Sequence, residues 1–140
     1  MYNTSIEVCL RPIGTPVILV GIDSTKKYTL EKETWFVFNI KRIPGALRLI
    51  VEMIDKKDSD PETAIEIIEV KINGISNPKF AWSGVYCPIY PEPWASTQIN
   101  LQESISPATY LGWNGTWYLD ITVPAFIWMH QTLGMGWIFE

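Results

Sequence analysis

The sequence predicts an all-β fold, a single-domain β-sandwich of jelly-roll-like topology spanning residues 1–140. Short segments rich in β-branched and aromatic residues alternate with polar residues at a period of two. Gly, Pro and Asn-Gly pairs separate these segments at the spacing typical of turns. A chain of 140 residues is also the right length for one domain with a full core.

The clearest predicted strand covers residues 117–123, near the C-terminus. Its odd-numbered residues are Trp, Leu, Ile and Val, and its even-numbered ones are Tyr, Asp and Thr, so one face is apolar. Asn114-Gly115 supplies the positive φ of a tight turn, which predicts a hairpin with residues 110–113. Pro124 lacks the N–H needed to continue a ladder, so the strand is predicted to end there.

The first 41 residues predict four strands, at 6–10, 15–22, 28–30 and 34–41. Pro and Gly place one turn at 11–14, and polar residues place the next at 23–26. Segment 28–30 is short and is predicted to lie at a sheet edge. Segment 34–41 is apolar on both faces, which predicts a central strand.

The middle of the chain leaves two assignments open between strand and helix. Segment 46–54 alternates as a strand does, but helical spacing fits the same residues. Segment 64–72 follows a respectable helix start at 59–62, yet its Ile and Val content favours a strand. A bulge at Ile67-Ile68 would place Ile65, Ile67, Ile68, Val70 and Ile72 on one face, and Asn73-Gly74 would close the strand.

A long loop rich in Pro and aromatic residues is predicted over 80–94, because Pro at this density excludes a central strand or a helix. Loops of this length in compact domains are often functional. Residues 96–102 are predicted to form an edge strand. Segment 125–130 alternates and predicts a strand, and residues 137–140 predict the last one.

Composition and charge exclude several classes of function. The net charge is −4 and the eleven Lys and Arg are scattered, which argues against a nucleic-acid partner. No apolar run is long enough for a membrane span. The first residues do not resemble a secretory signal, which leaves a cytoplasmic protein, a virion-associated protein or a secreted protein with its leader removed.

Catalytic and metal chemistry find little support. Cys9 and Cys87 allow one long-range disulfide, but two buried free thiols are the favoured interpretation, and the single histidine makes a zinc site untenable. No serine lies in a nucleophile elbow, so the chain is predicted not to be an enzyme and to need no cofactor. One polar loop contains four acidic residues that could supply oxygen ligands to a calcium ion: Asp55, Asp58, Asp60 and Glu62. A plain solvated turn explains these acids as well.

The strongest functional signal is a set of aromatic residues outside the alternating strands. Trp and Tyr in loops present flat apolar faces with polar edges, which stack on sugar rings or anchor protein interfaces. This pattern predicts a carbohydrate-binding module whose ligand residues are Trp82, Tyr86, Tyr90, Trp94, Trp113 and Asn114.

Two alternatives use the same aromatic residues differently. The rings could close the ends of the sandwich as a small core of their own. Alternatively, the chain could be a structural subunit, such as a viral or phage particle component, with the aromatic loop and edge strands buried between subunits. The predicted partners are therefore carbohydrate or other protein subunits, the latter including copies of this chain.

Overall fold

The computed structural model describes residues 2–57, 59, 62–90, 92 and 94–133. Two antiparallel sheets account for most of this chain. The strands are β1 (Tyr2–Ile13), β2 (Val17–Ile22), β3 (Lys26–Thr29), β4 (Thr34–Arg42), β5 (Gly45–Ile54), β6 (Ala64–Ile72), β7 (Ile75–Ser76), β8 (Val85–Pro88), β9 (Tyr110–Leu111) and β10 (Gly115–Val123), and the helices are α1 (Pro78–Trp82), α2 (Ala125–Leu133) and a 3₁₀ turn at Ala95–Thr97.

The sheets face each other across one apolar core. The first has the order β4-β1-β6-β7, with β9 also pairing with β6, and the second has the order β3-β2-β5-β10-β8. The chain crosses repeatedly from one sheet to the other, so both inner faces contribute to the core. The predicted all-β sandwich is confirmed.

Strands β5 and β10 form the centre of the second sheet. Their register places Trp117 opposite Val51 and Leu119 opposite Leu49, and all four side chains are buried. This pairing confirms the alternation of β10 and resolves the ambiguity over 46–54, which forms a strand. The inner face of this strand pair forms a continuous apolar surface over the core. Burial of such a surface is the largest stabilising contribution available to a sandwich.

The predicted hairpin between residues 110–113 and β10 is wrong. Residues 110–111 form β9 in the opposite sheet, and β10 pairs instead with β5 and β8. A tight hairpin turn of this kind needs positive φ at both central residues. Of the pair at 114–115, only Gly115 has positive φ, at 151°, while the Asn114 side chain bonds to a different loop.

Strand β6 contains the predicted bulge. Leu10 pairs with Ile67 and Cys9 pairs with Glu69, which leaves Ile68 without a partner on β1. The expectation that Ile68 would share the buried face is wrong, because the inserted residue itself turns outward and is exposed. The other four apolar residues of the segment are buried, and Asn73-Gly74, both with positive φ, closes the β6–β7 hairpin as predicted.

Strand β4 lies at a sheet edge and not at the predicted central position, because β1 is the one described strand that pairs with it. Its two apolar faces have different surroundings. Phe36, Phe38 and Ile40 pack against the core, whereas Trp35 and Val37 face solvent. The short strand predicted at 28–30 is found as β3, at the edge of the second sheet.

Local structure after β7 departs most from prediction. Residues 125–133 form helix α2, and its buried residues Ala125, Trp128 and Met129 follow helical spacing, which alternation alone did not reveal. Asn77 caps α1 by accepting a hydrogen bond from Lys79 N–H, and Pro78 occupies the first turn. No strand forms at 96–102, and residues 137–140 lie outside the described part of the chain.

The described helices are short. None of them is long and apolar enough to cross a membrane.

Candidate functional site: an aromatic patch at one end of the sandwich

Three rings from two loops form one surface, called here the aromatic patch: Tyr90, Trp94 and Trp113. The Trp94 and Trp113 rings are nearly parallel, with an interplanar angle of 26° and centroids 6.0 Å apart. The Tyr90 ring also lies 6.0 Å from the Trp94 ring and is tilted by 45° to it. Trp94 is 43% exposed, and Tyr90 and Trp113 are partly buried. The patch therefore offers an aromatic surface that the core does not cover.

Hydrogen bonds fix the loop that carries Trp94. Its carbonyl oxygen accepts from the Thr97 N–H at 3.0 Å and from the Thr97 hydroxyl at 2.7 Å, which forms the 3₁₀ turn. The Glu92 carboxylate accepts from the hydroxyl and the N–H of Ser96. The Tyr90 hydroxyl donates to the Gln102 carbonyl at 2.9 Å. This bond joins the beginning of the long loop to a residue twelve positions further along it.

Tyr86 supports the patch from beneath. It lies in β8, is only 3% exposed and has no ring face open to a ligand. Its hydroxyl donates to the Trp113 carbonyl at 2.6 Å and accepts from the Trp113 N–H at 3.0 Å. Burial raises the pKa of Tyr86 to about 12, so the phenol stays protonated and both bonds persist at neutral pH.

Asn114 joins the patch to the loop after β5. Its side-chain oxygen accepts from the Lys56 N–H at 2.8 Å, and its amide nitrogen donates to the Lys56 carbonyl at 3.1 Å. This places the Lys56 ammonium 5.1 Å from the centre of the Trp113 ring, within range of a cation–π interaction. Asn114 therefore positions Trp113 and Lys56, and its amide is engaged with the backbone.

Gly115 allows β8 to approach closely. A Cβ at this position would lie 2.4 Å from the Cys87 carbonyl oxygen, and the φ of 151° is one that other residues rarely adopt. The loop after β8 begins here, where Ile89 N–H donates to the Asn114 carbonyl. Only glycine brings the two loops of the patch together in this way.

A groove of about 370 Å³ adjoins the patch. Tyr90 and Trp113 line one part of it, and Tyr110 and Gly112 line another. Sequence reasoning did not identify Tyr110 or Lys56 as part of this surface. Tyr110 was assigned to a hairpin strand, and nothing near Lys56 in the sequence indicates a contact 57 residues away.

Trp82 lies elsewhere. It ends helix α1, is 53% exposed and lines a separate groove of about 380 Å³ with Ile68, Glu69 and Thr109. The structure therefore brings Tyr90, Trp94 and Trp113 together, places Tyr86 and Asn114 behind them, and separates Trp82 from the set.

The acids of the calcium hypothesis are only partly described. Asp55 and Glu62 are exposed, while Asp58 and Asp60 lie outside the described residues. Within the described part of the chain, no three His, Cys, Asp or Glu side chains are close enough to hold a metal ion. The two cysteines are free thiols; Cys9 is buried and Cys87 is partly buried.

Comparison with known proteins relates the chain to two solved structures. One is described as vCBM60 in complex with galactobiose; it is 18% identical, with a TM-score of 0.52 over 83% of this chain and 95% of the other. The second is a selenomethionine form of vCBM60, from work on two families of calcium-dependent carbohydrate-binding modules. It is 15% identical, with the same TM-score, over 83% of this chain and 89% of the other. At these identities the likeness shows a shared fold. No family profile and no curated protein matches the chain.

Proposed function

We propose that this chain is a non-catalytic carbohydrate-binding domain and that the aromatic patch with its groove is the binding surface. The observation that carries the proposal is the near-parallel ring pair of Trp94, which is 43% exposed, and Trp113, which is partly buried and whose backbone is bonded to the Tyr86 hydroxyl. A partly exposed indole presents a flat apolar surface to solvent and carries an N–H at its edge. The C–H groups of a pyranose ring match such a face.

The chemistry of the surface fits a neutral, hydroxylated ligand. The two tryptophans provide an apolar platform, and Tyr90 and Tyr110 add phenol groups along the adjoining groove. The Lys56 ammonium, which donates to the Gly112 carbonyl and lies 5.1 Å from the centre of the Trp113 ring, adds one positive charge beside the platform. Binding would bury a small apolar area without covalent chemistry, which favours modest affinity.

The fold gives independent support. Its two structural neighbours are carbohydrate-binding modules, and one of them was solved with galactobiose bound. Galactobiose is therefore the first probe to use. Longer oligosaccharides built on glucose, xylose and galactose form the second set, since a patch of three rings has room for more than one sugar residue.

Isothermal titration calorimetry with galactobiose and these oligosaccharides tests the proposal. Trp94→Ala and Trp113→Ala are expected to weaken binding at least about ten-fold, the loss that corresponds to one stacking contact. Trp82→Ala is the matched control, since it removes an indole outside the patch that is 53% exposed, against 43% for Trp94. Unchanged binding by Trp94→Ala, or loss of binding by Trp82→Ala alone, would contradict the proposed surface.

Calcium binding by the loop at 55–62 stays a prediction. This loop begins beside the patch, because Asn114 holds the Lys56 backbone. The same titrations in calcium chloride and in EDTA test the prediction. The affinity for the sugar should be lower in EDTA than in calcium chloride, and this difference should be smaller in an Asp55→Asn variant.

A further inference from the structure

Strand β4 presents an unusually open sheet edge. Its nine residues pair with β1 in an unbroken antiparallel register from Arg42 to Thr34. No described strand pairs with its other side. A row of free backbone N–H and C=O groups along such an edge is a template for another strand.

The remaining described edges are protected, and β4 is not. Strand β3 has four residues, two of them Lys26 and Lys27; β7 and β9 have two residues each; and β8 has four and ends at Pro88. Short edges, lysines and proline all discourage pairing between chains. By contrast, residues 34–40 of β4 contain no charge, proline or bulge.

Both faces of β4 carry apolar groups that another strand would cover. On the outer face, Trp35 is 40% exposed and Val37 is 52% exposed. On the inner face, Phe38 and Ile40 line an open depression of about 440 Å³ that faces β2 and β3. The basic group at the end of the strand is already engaged, since Arg42 pairs with Asp23 at 2.6 Å.

We propose that β4 pairs with β4 of a second copy of this chain, antiparallel and with the two-fold axis at Phe38. This register joins the first sheets of two copies into one continuous sheet. Phe38 then faces Phe38 of the second copy, Phe36 faces Ile40, Val37 faces Asn39, and Trp35 faces Lys41.

The register is self-complementary, which is why the occupant is a second copy. Each half-buried apolar residue on the inner face meets another apolar residue, as a two-fold interface requires. On the outer face, Lys41 of one copy meets Trp35 of the other at a Cβ separation of about 5 Å. Within its own chain the Trp35 ring lies 4.9 Å from the Lys71 ammonium, so this indole already makes one cation–π contact.

Charge substitution at positions 35 and 41 tests the pairing. The two residues lie six positions apart on β4, roughly 20 Å in an extended strand, so they cannot contact each other within one chain. Trp35→Glu creates an ion pair with Lys41 across the interface, whereas Trp35→Glu combined with Lys41→Glu opposes like charges there.

Light scattering coupled to size-exclusion chromatography measures the outcome. The wild-type chain is expected to reach twice its 16.0 kDa as concentration rises. The single variant W35E should retain this dimer, and the double variant should raise the dimer dissociation constant at least about ten-fold over the single one. Ile75→Glu is the matched control and should leave the dimer unchanged, because this exposed residue lies on the protected strand β7 at the opposite end of the same sheet. A wild-type monomer at all concentrations, or a double variant as dimeric as W35E, would overturn the proposal.

Cross-linking tests the register independently of charge. In the proposed register residue 37 lies opposite residue 39, at a Cα separation compatible with a disulfide. The double variant V37C/N39C should form a covalent dimer under mild oxidation. The single variants V37C and N39C are the controls, and they also contain the native Cys9 and Cys87. In either single variant the two introduced cysteines of a dimer would lie roughly 8 Å apart, so they should not cross-link. Cross-linking of a single variant, or none in the double variant, would refute the register.

Discussion

Trp117 and Trp94 belong to regions of the molecule that use the same amino acid in opposite ways. Trp117 lies in β10, between β5 and β8, and is fully buried. A Cβ on Gly84 would lie 2.2 Å from its ring, and its indole N–H donates to the Ala108 carbonyl at 3.0 Å. Trp94 contacts two other rings and is 43% exposed.

The difference separates residues that hold the fold from residues available to a ligand. Around Trp117 every contact would be lost on unfolding, so the ring contributes to stability. Around Trp94 the hydrogen bonds come from the backbone and from Thr97, and they would survive removal of the ring. A tryptophan whose backbone is fixed by hydrogen bonds and whose side chain is partly exposed is the arrangement expected of a binding surface.

The largest expected effect is that of Trp117→Ala. It removes a large buried side chain, leaves a cavity and deprives the Ala108 carbonyl of its donor, so we expect a loss of about 3–5 kcal/mol in the free energy of unfolding. Urea denaturation measures this loss. Trp94→Ala is the matched substitution and should change stability by less than about 1 kcal/mol. Equal losses in the two variants would remove the distinction between the regions.

Tyr86→Phe tests the connection between the regions. The Tyr86 hydroxyl holds both backbone groups of Trp113, and its removal leaves two part-buried polar groups without this partner. We expect a loss of about 1–3 kcal/mol in the free energy of unfolding, measured by urea denaturation, together with weaker ligand binding. Full stability in this variant would show that the two hydrogen bonds between the Tyr86 hydroxyl and the Trp113 backbone contribute nothing to stability.

Stability at high pH provides a second test of these two hydrogen bonds. Burial raises the pKa of Tyr86 in the folded chain to about 12, above the ordinary value near 10. The stability contributed by the neutral phenol is therefore fully present below about pH 10 and is lost as the pH rises towards about 12. The stability difference between wild type and Tyr86→Phe should shrink over this range. A constant difference would contradict the role of the protonated hydroxyl.

The smallest expected effect is that of Asp120→Asn on the outer face of β10. Asp120 accepts two hydrogen bonds from the Arg48 guanidinium, at 2.7 and 3.0 Å, but both side chains are exposed. An exposed pair of this kind contributes about 1 kcal/mol or less. We expect a loss of that size in low-salt urea denaturation and a smaller one in 1 M sodium chloride. A loss comparable to that of Trp117→Ala would place this face among the structural contacts.

Alternation predicted the core strand β10 and left β5 and β6 open between strand and helix. In β10 it identified the buried face, and in β6 the parity change between Ile67 and Ile68 located the bulge. These predictions succeed because burial on one face of a strand requires a two-residue period. In residues 125–130 the alternation misled, since the segment also fits helical spacing, and the residues that are buried, Ala125, Trp128 and Met129, follow that spacing.

The partners of individual side chains were harder to predict. The sequence identified Tyr90, Trp94 and Trp113 as loop aromatics, and the structure brings these three together. It did not indicate that Tyr86 lies beneath Trp113 or that Asn114 binds the Lys56 backbone. Those contacts join segments far apart in the sequence, and their geometry depends on which strands pair across the sheets.

The most direct test of the central claim is an NMR titration of the indole N–H signals. Assigned through Trp→Phe variants, these signals report on each tryptophan separately while galactobiose or a longer oligosaccharide is added. The account predicts that the Trp94 and Trp113 signals move with ligand concentration while those of Trp117 and Trp82 stay in place. Movement of Trp82 without Trp94, or no movement at Trp94 and Trp113 with a sugar that binds, would contradict it.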